Sequence, residues 1–142
     1  MALASIGVRT SNLTITQASA ELRTTAAVAA NVLEVSVIQA TATAQSLGLG
    51  RPAALGITPG TTSTPVRDNG GLPVCVSTMA LSWGTSPTAP TVFHRRWNSA
   101  ATIGVGMIWT FPRGFLIPVS GSIVLWNITA AVAVDLNIAY DE

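Results

Sequence analysis

Alternation of apolar and polar residues is the strongest signal in this chain, and it is sharpest near the carboxyl terminus. Val132, Val134, Leu136, Ile138 and Tyr140 fall on one face, and Ala133, Asp135, Asn137 and Ala139 fall on the other. A period of two sends successive side chains to opposite sides of an extended backbone, so this segment predicts a strand with one buried face. The segment before it is different. Val124, Trp126 and Ile128 alternate with Ile123, Leu125 and Asn127, which makes it apolar on both sides. Such a strand belongs in the middle of a sandwich or beneath a partner subunit. Together the two predict a closing hairpin from Gly121 to Glu142.

Weaker alternation runs through the rest of the chain. "NLTITQ" (Asn12 to Gln17) predicts a strand, and "ELRTTAAVAAN" fits a short helix or a strand, with β-branched Thr24, Thr25 and Val28 weakening the helix. "NVLEVSVIQATATAQ" (Asn31 to Gln45) predicts one long strand with Leu33, Val35 and Val37 on one face, and the glycines and Pro52 of "SLGLGRPAALG" predict a break after it. Gly56 to Gly71 reads as a long surface loop, with turn chemistry in "DNGG". "LPVCVSTMALSW" (Leu72 to Trp83), "TVFHRRWN" (Thr91 to Asn98) and "IGVGMIWTF" (Ile103 to Phe111) predict strands, with "GTSPTAP" and "PRG" as turns between elements. The tally is roughly eight to ten short strands at sandwich or barrel spacing. The expected fold is therefore all-β, an antiparallel β-sandwich of jelly-roll type. A single domain is expected, with residues 1–30 as an amino-terminal arm plus first strand or strands, and 31–142 as the sandwich. The first ten residues are expected to order against a neighbour.

Composition changes the picture at the surface. Only 9% of the 142 residues are charged and 49% are hydrophobic, against about 25% charged in a typical soluble domain. No apolar run reaches the 18 or so residues of a membrane-spanning helix, and the start lacks the basic and apolar blocks of a signal peptide. A soluble chain without a cleaved leader is expected. So few charges imply that neighbours cover part of the surface, since monomers seldom leave large apolar patches in water. All seven basic residues are Arg and none is Lys. Arg forks suit bidentate pairing with carboxylates at interfaces, and a G+C-rich genome would give the same bias. The net charge of +1 lacks the basic footprint of a nucleic-acid binder.

Candidate chemistry is sparse. His94 is the one histidine, so a Ser/His/Asp triad would need it with Asp68 or Asp135, and no Gly-x-Ser-x-Gly elbow is present. One His, one Cys and scattered acids give no metal-ligand spacing, and "IGVGM" opens no helix that would hold an anion. No enzyme, cofactor or metal is expected. Cys75 in "LPVCVST" reads as a buried inert thiol. Asn12-Leu13-Thr14 and Asn127-Ile128-Thr129 match the glycosylation sequon; without a secretory signal they read as chance. "FHRRWN" stands out, because Arg beside aromatics is typical of interface hot spots. It marks either a protein interface through Phe93, Arg95, Arg96 and Trp97 or a basic edge strand with a core Trp.

Some segments also carry a family likeness. "SWGTSPTAPTVFHRRWN", "GMIWTFPRGFLIPVSGSIVLWNITA" and the final strand resemble small jelly-roll virion proteins of tailed bacteriophages, the capsid decoration or cement proteins. The shared pattern is a W-x-F-P step at Trp109 to Pro112, then I-P-x-x-G-S-x-V-L-W-N at Ile117 to Asn127, then an alternating strand. It covers Ile108 to Tyr140, with a weaker likeness back to Trp83. The resemblance implies a homotrimer on the outer surface of a virion head, assembled in the host cytoplasm and bridging subunits of the major capsid protein, with no nucleic-acid or membrane partner. It implies an interface that draws on Arg95, Arg96, Arg113 and Trp126, with Trp126 serving the sandwich core and a sister subunit. A receptor- or carbohydrate-binding tip of a phage head or tail fibre is the alternative. An enzyme of the double-stranded β-helix type is a third, short of the histidines it needs.

Overall fold

The computed structural model describes residues 3–11, 14–130 and 132–142. The alternating carboxyl-terminal segment is strand β13 (Val134–Asp141), with Val134, Leu136, Ile138 and Tyr140 buried and Asn137 exposed. The other elements are β1 (Leu3–Arg9), β2 (Ala18–Arg23), β3 (Ala30–Gln39), β4 (Gln45–Gly50), β5 (Ile57–Pro59), β6 (Thr62–Ser63), β7 (Val66–Arg67), β8 (Thr78–Ala80), β9 (Trp83–Thr85), β10 (Phe93–Ser99), β11 (Gly106–Ile117) and β12 (Ser122–Asn127). No helix forms among the described residues. The chain is all-β, as its periodicity predicts.

Two antiparallel sheets build a β-sandwich. One has the order β11-β3-β13-β1-β7, the other β10-β4-β12-β2-β8-β6, and β5 pairs with β9 as a separate ribbon. The pairing is nested: β1 with β13, β2 with β12, β3 with β11 and β4 with β10. Ladders between β3 and β13 and between β4 and β12 join the nested pairs into sheets. Inward side chains of both sheets, among them Val35, Val37, Leu47, Leu49, Ile123, Leu125, Leu136 and Tyr140, make one apolar core. The interior lined by Leu22, Met79, Ile123 and Leu136 has no space for a water molecule.

Several expectations are corrected. Residues 3–9 are an interior strand of their own chain instead of an arm: β1 lies between β13 and β7, and Ala4 and Ile6 are buried. Its backbone hydrogen bonds are satisfied by the carboxyl-terminal strand, so it orders without a neighbour. The expected closing hairpin does not form. β12 pairs with β2 and β4, whereas β13 pairs with β3 and β1 in the opposite sheet. "PRG" is a bulge inside β11: Gly114 has φ +71°, and the register skips from Thr110 to Phe115. Leu33 is bypassed on both sides of β3, which carries Val32 as well as Val35 and Val37 into the core.

The supposed break "SLGLG" is central strand β4, all of it buried. Its glycines leave room for side chains lying across it. A Cβ on Gly48 would sit 2.4 Å from Phe93 Cδ1, and one on Gly50 would sit 2.7 Å from Pro90 Cβ. The long strand expected to Gln45 ends at Gln39, where the Gln39 side-chain amide donates to the carbonyls of Thr41 and Thr43 and holds the turn to β4. The 56–71 loop contains short strands β5, β6 and β7, and within 72–83 only β8 and the start of β9 are strand. Asn12 and Leu13 lie outside the described residues, and Ile15 and Thr16 of the predicted strand form a turn with Thr16 at φ +59°.

Candidate functional site

The nested topology leaves β10 and β11 as the free edges of the two sheets, on the same side of the sandwich, where they touch. That gap is filled by aromatic rings. A register slip between Phe93 and Arg95 pushes His94 out of the β10 ladder. Its ring meets Phe115 edge-on, with centroids 4.5 Å apart and planes at 67°. Phe111 packs beside Phe115 at 5.6 Å.

Guanidinium groups cap these rings. Arg51 lies over Phe115 at 4.4 Å, Arg95 over Phe111 at 5.1 Å, and Arg96 over Phe93 at 5.8 Å. Each is within the range of a cation–π attraction. Arg51 also donates to the Leu116 carbonyl, and Arg95 donates to the His94 carbonyl at 2.9 Å. A guanidinium held over a ring keeps its charge and its planar fork of donors, which suits carboxylates. Arg113, on the β11 bulge, is exposed. No acid from the chain's own described residues pairs with any of these four arginines; the ion pairs found are Arg9 with Asp135 and Arg23 with Glu21. His94 is held below its ordinary value of 6.5 by partial burial, then by the charges of Arg51 and Arg95. Its neighbours are cations and phenyl rings, which favour the neutral imidazole.

The structure divides the sequence-predicted residues. Arg95, Arg96 and Arg113 are exposed at the ledge. Arg95 and Arg96 point to opposite faces of β10, one toward Phe111 and one toward Phe93. Phe93 folds over Gly48 on the outer face of the six-stranded sheet, and Trp97 packs against the main core. Trp126 is only 7% exposed. It belongs to a second apolar cluster with Ala18 and Val124, covered by Trp83, Phe93 and Ile128 of the same chain. The second face of β12 is thus buried by the chain's own Trp83, Phe93 and Ile128, so Trp126 is a packing residue of its own chain. Arg51, Phe111 and Phe115 complete the ledge and were not singled out from the sequence. They are scattered along the chain and meet only through the pairing of β4 with β10 and the abutment of β10 on β11.

Other polar groups serve the fold. Glu21, fully buried, accepts from Trp83 Nε1 at 2.8 Å, Ser122 Oγ at 2.8 Å and the Gly56 amide at 3.3 Å, pinning the insertion to β2. Glu142 accepts from the Val76 and Ser77 amides at 2.6 and 3.2 Å. Cys75 is buried, and burial followed by the Glu142 charge raises its thiol above the ordinary value. Asn127 of the second sequon is buried and accepts from Ser19 Oγ at 2.6 Å, which closes it to a glycan; Asn12 of the first lies outside the described residues. Among the described residues no three His, Cys, Asp or Glu side chains gather as metal ligands. Comparison with protein family models, curated proteins and solved structures finds no significant match.

Proposed function

We propose that this chain is a structural virion protein, a decoration or cement subunit that binds the outer surface of a bacteriophage head as a homotrimer and bridges major capsid subunits. The nested ladders β1·β13, β2·β12, β3·β11 and β4·β10 are those of one long antiparallel ribbon rolled on itself. That pattern supports reading the sandwich as a jelly roll. The 51–92 insertion sits at the closed end of the ribbon, between β4 and β10; its β6 and β8 extend the six-stranded sheet and its β7 the five-stranded one.

One observation carries the reading. Trp83, Phe93 and Ile128 pack over the outer face of β12 in the six-stranded sheet, whereas the outer face of the five-stranded sheet exposes large apolar side chains. On it, Ile38 is 41% and Ile108 is 63% exposed. They stand on adjacent strands, Ile38 opposite Gly106 and Ile108 opposite Ser36, and Ile38 closes over the glycine. Ser36, Thr110 and Asn137 share this face, as do Glu34, opposite Thr110, and Asp135, opposite Ile38 and ion-paired with Arg9. Exposed isoleucines bordered by polar and charged groups resemble the apolar core and polar rim of a protein interface. Repetition over many copies on a shell multiplies a modest contact.

The test is pelleting with emptied, expanded heads assembled from the major capsid protein of the same genome. The purified chain is expected to co-sediment with them in saturable amounts. Retention in the supernatant at every concentration would contradict the reading.

A further inference from the structure

Two exposed arginines gather around one histidine. Arg51, just past the end of β4, and Arg95, on β10, both lie close enough to His94 for their charges to act on its imidazole. The three side chains stand on a floor of two phenyl rings. Arg51 is 4.4 Å and His94 4.5 Å from the centre of Phe115, and Arg95 is 5.1 Å from the centre of Phe111. The two rings are 5.6 Å apart. Phe111 belongs to the sandwich core and Phe115 packs against it, so the floor is fixed by the fold. Arg51, His94 and Arg95 are themselves exposed.

Like charges held this way repel, and no carboxylate of the described residues offsets them. Among the described residues each guanidinium makes one hydrogen bond, Arg51 to the Leu116 carbonyl and Arg95 to the His94 carbonyl at 2.9 Å. A guanidinium has five N–H donors, so each keeps most of them for an acceptor from outside the chain. The imidazole is pushed toward its neutral form partly by the same unbalanced field. Arg96 is set apart, because it follows Arg95 on the opposite face of β10 and lies over Phe93.

We infer that Arg51 and Arg95 form a carboxylate-binding site for an acidic segment of a partner protein, each guanidinium taking one aspartate or glutamate side chain. The planar fork of a guanidinium matches a carboxylate in a bidentate pair. The rings and the carbonyl bonds restrain both forks before a partner arrives, which reduces the entropy lost on contact. The site lies where β10 and β11, the free edges of the two sheets, touch, so an extended segment reaches it without opening the fold. A phosphate backbone is a poorer match: it is gripped by a basic stripe, and this chain carries a net charge of +1. The inference goes beyond the proposed function and holds whether or not the partner is a shell.

His94 is the one histidine of the chain, so its imidazole is an unambiguous reporter in an NMR titration of the full chain. The probe is a capped hexaglutamate peptide. Its addition is expected to move the His94 signal saturably and to raise the pH at which that signal titrates, because a bound carboxylate favours the imidazolium. Arg51→Gln with Arg95→Gln is expected to weaken the peptide about tenfold or more, and Arg96→Gln to leave it unchanged. Arg51→Lys with Arg95→Lys keeps the charge without the fork and is expected to fall between. A nuclear Overhauser contact from His94 to Phe115 in each variant shows that the floor is intact. Acetate and hexathymidylate, at matched charge, are expected to give no saturable response. A wild-type signal that ignores the peptide, or a glutamine double variant that binds it as well as the wild type, would overturn the inference. So would an equal response to acetate, which marks a general anion effect, or to hexathymidylate, which marks a nucleic-acid site.

Discussion

Glu21 stands on the outward face of β2 and yet has no exposed surface. It is tolerated because hydrogen-bond donors converge on it from the insertion and from β12, with Arg23 at 3.9 Å. A buried carboxylate without such partners would be strongly destabilising. Replacing Glu21 by Gln keeps the shape and weakens the charge-assisted bonds, so the variant is expected to lose about 2–4 kcal/mol. The urea midpoint measures this, and an unchanged midpoint would show that the clasp is dispensable. Tyr140 makes a second residue-scale prediction. Burial, then the Glu142 charge, raises its phenol above the ordinary value of 10, and burial likewise raises Cys75 above 9.0. In the folded chain both groups keep their protons at pH values where the unfolded chain has lost them. The folded state then binds more protons, and stability falls as the pH rises above about 9. Tyr140→Phe with Cys75→Ala should flatten that decline, as read from urea midpoints across the alkaline range; an equally steep decline would contradict the assignment.

Elements differed in how plainly the sequence displayed them. β13 was legible because a strand buried on one face must keep its apolar period, and Val134 to Tyr140 keep it. β12 was legible as doubly buried, and all six of its residues are buried. Which strands they pair with was not legible. Neighbouring strands often pair with each other, which favoured a hairpin, but these two go to opposite sheets because β1 and β3 take β13 while β2 and β4 take β12. Glycines misled in β4, since Gly48 is there to admit the Phe93 ring and not to end the strand. "FHRRWN" was visible as a cluster, yet the slip at His94 that leaves Phe93 beside Arg96 and apart from Arg95, and the arrival of Arg51 on Phe115, depend on long-range pairing. Gly48→Ala is expected to cost about 1–3 kcal/mol by overpacking against Phe93. Adding Phe93→Ala should make the double variant more stable than the sum of the single effects predicts. Denaturant melts of the four proteins decide it, and simple additivity would contradict the contact.

At the scale of the whole molecule, the two outer sheet faces differ. On the six-stranded sheet, Trp83 of the insertion and Phe93 of β10 pack over Trp126. On the five-stranded sheet, Ile38 and Ile108 stand exposed. Ile38→Ser with Ile108→Ser alters exposed positions, so the double variant should stay within about 1 kcal/mol of the parent in a denaturant melt. Its binding to emptied heads should nonetheless weaken at least tenfold, and unaltered binding would remove this face from the interface. Calorimetry of emptied, expanded heads with and without the chain tests reinforcement of the shell most directly. The account predicts that saturating amounts of the protein raise the melting temperature of the shell; a shell that melts at the same temperature with the protein bound would contradict it.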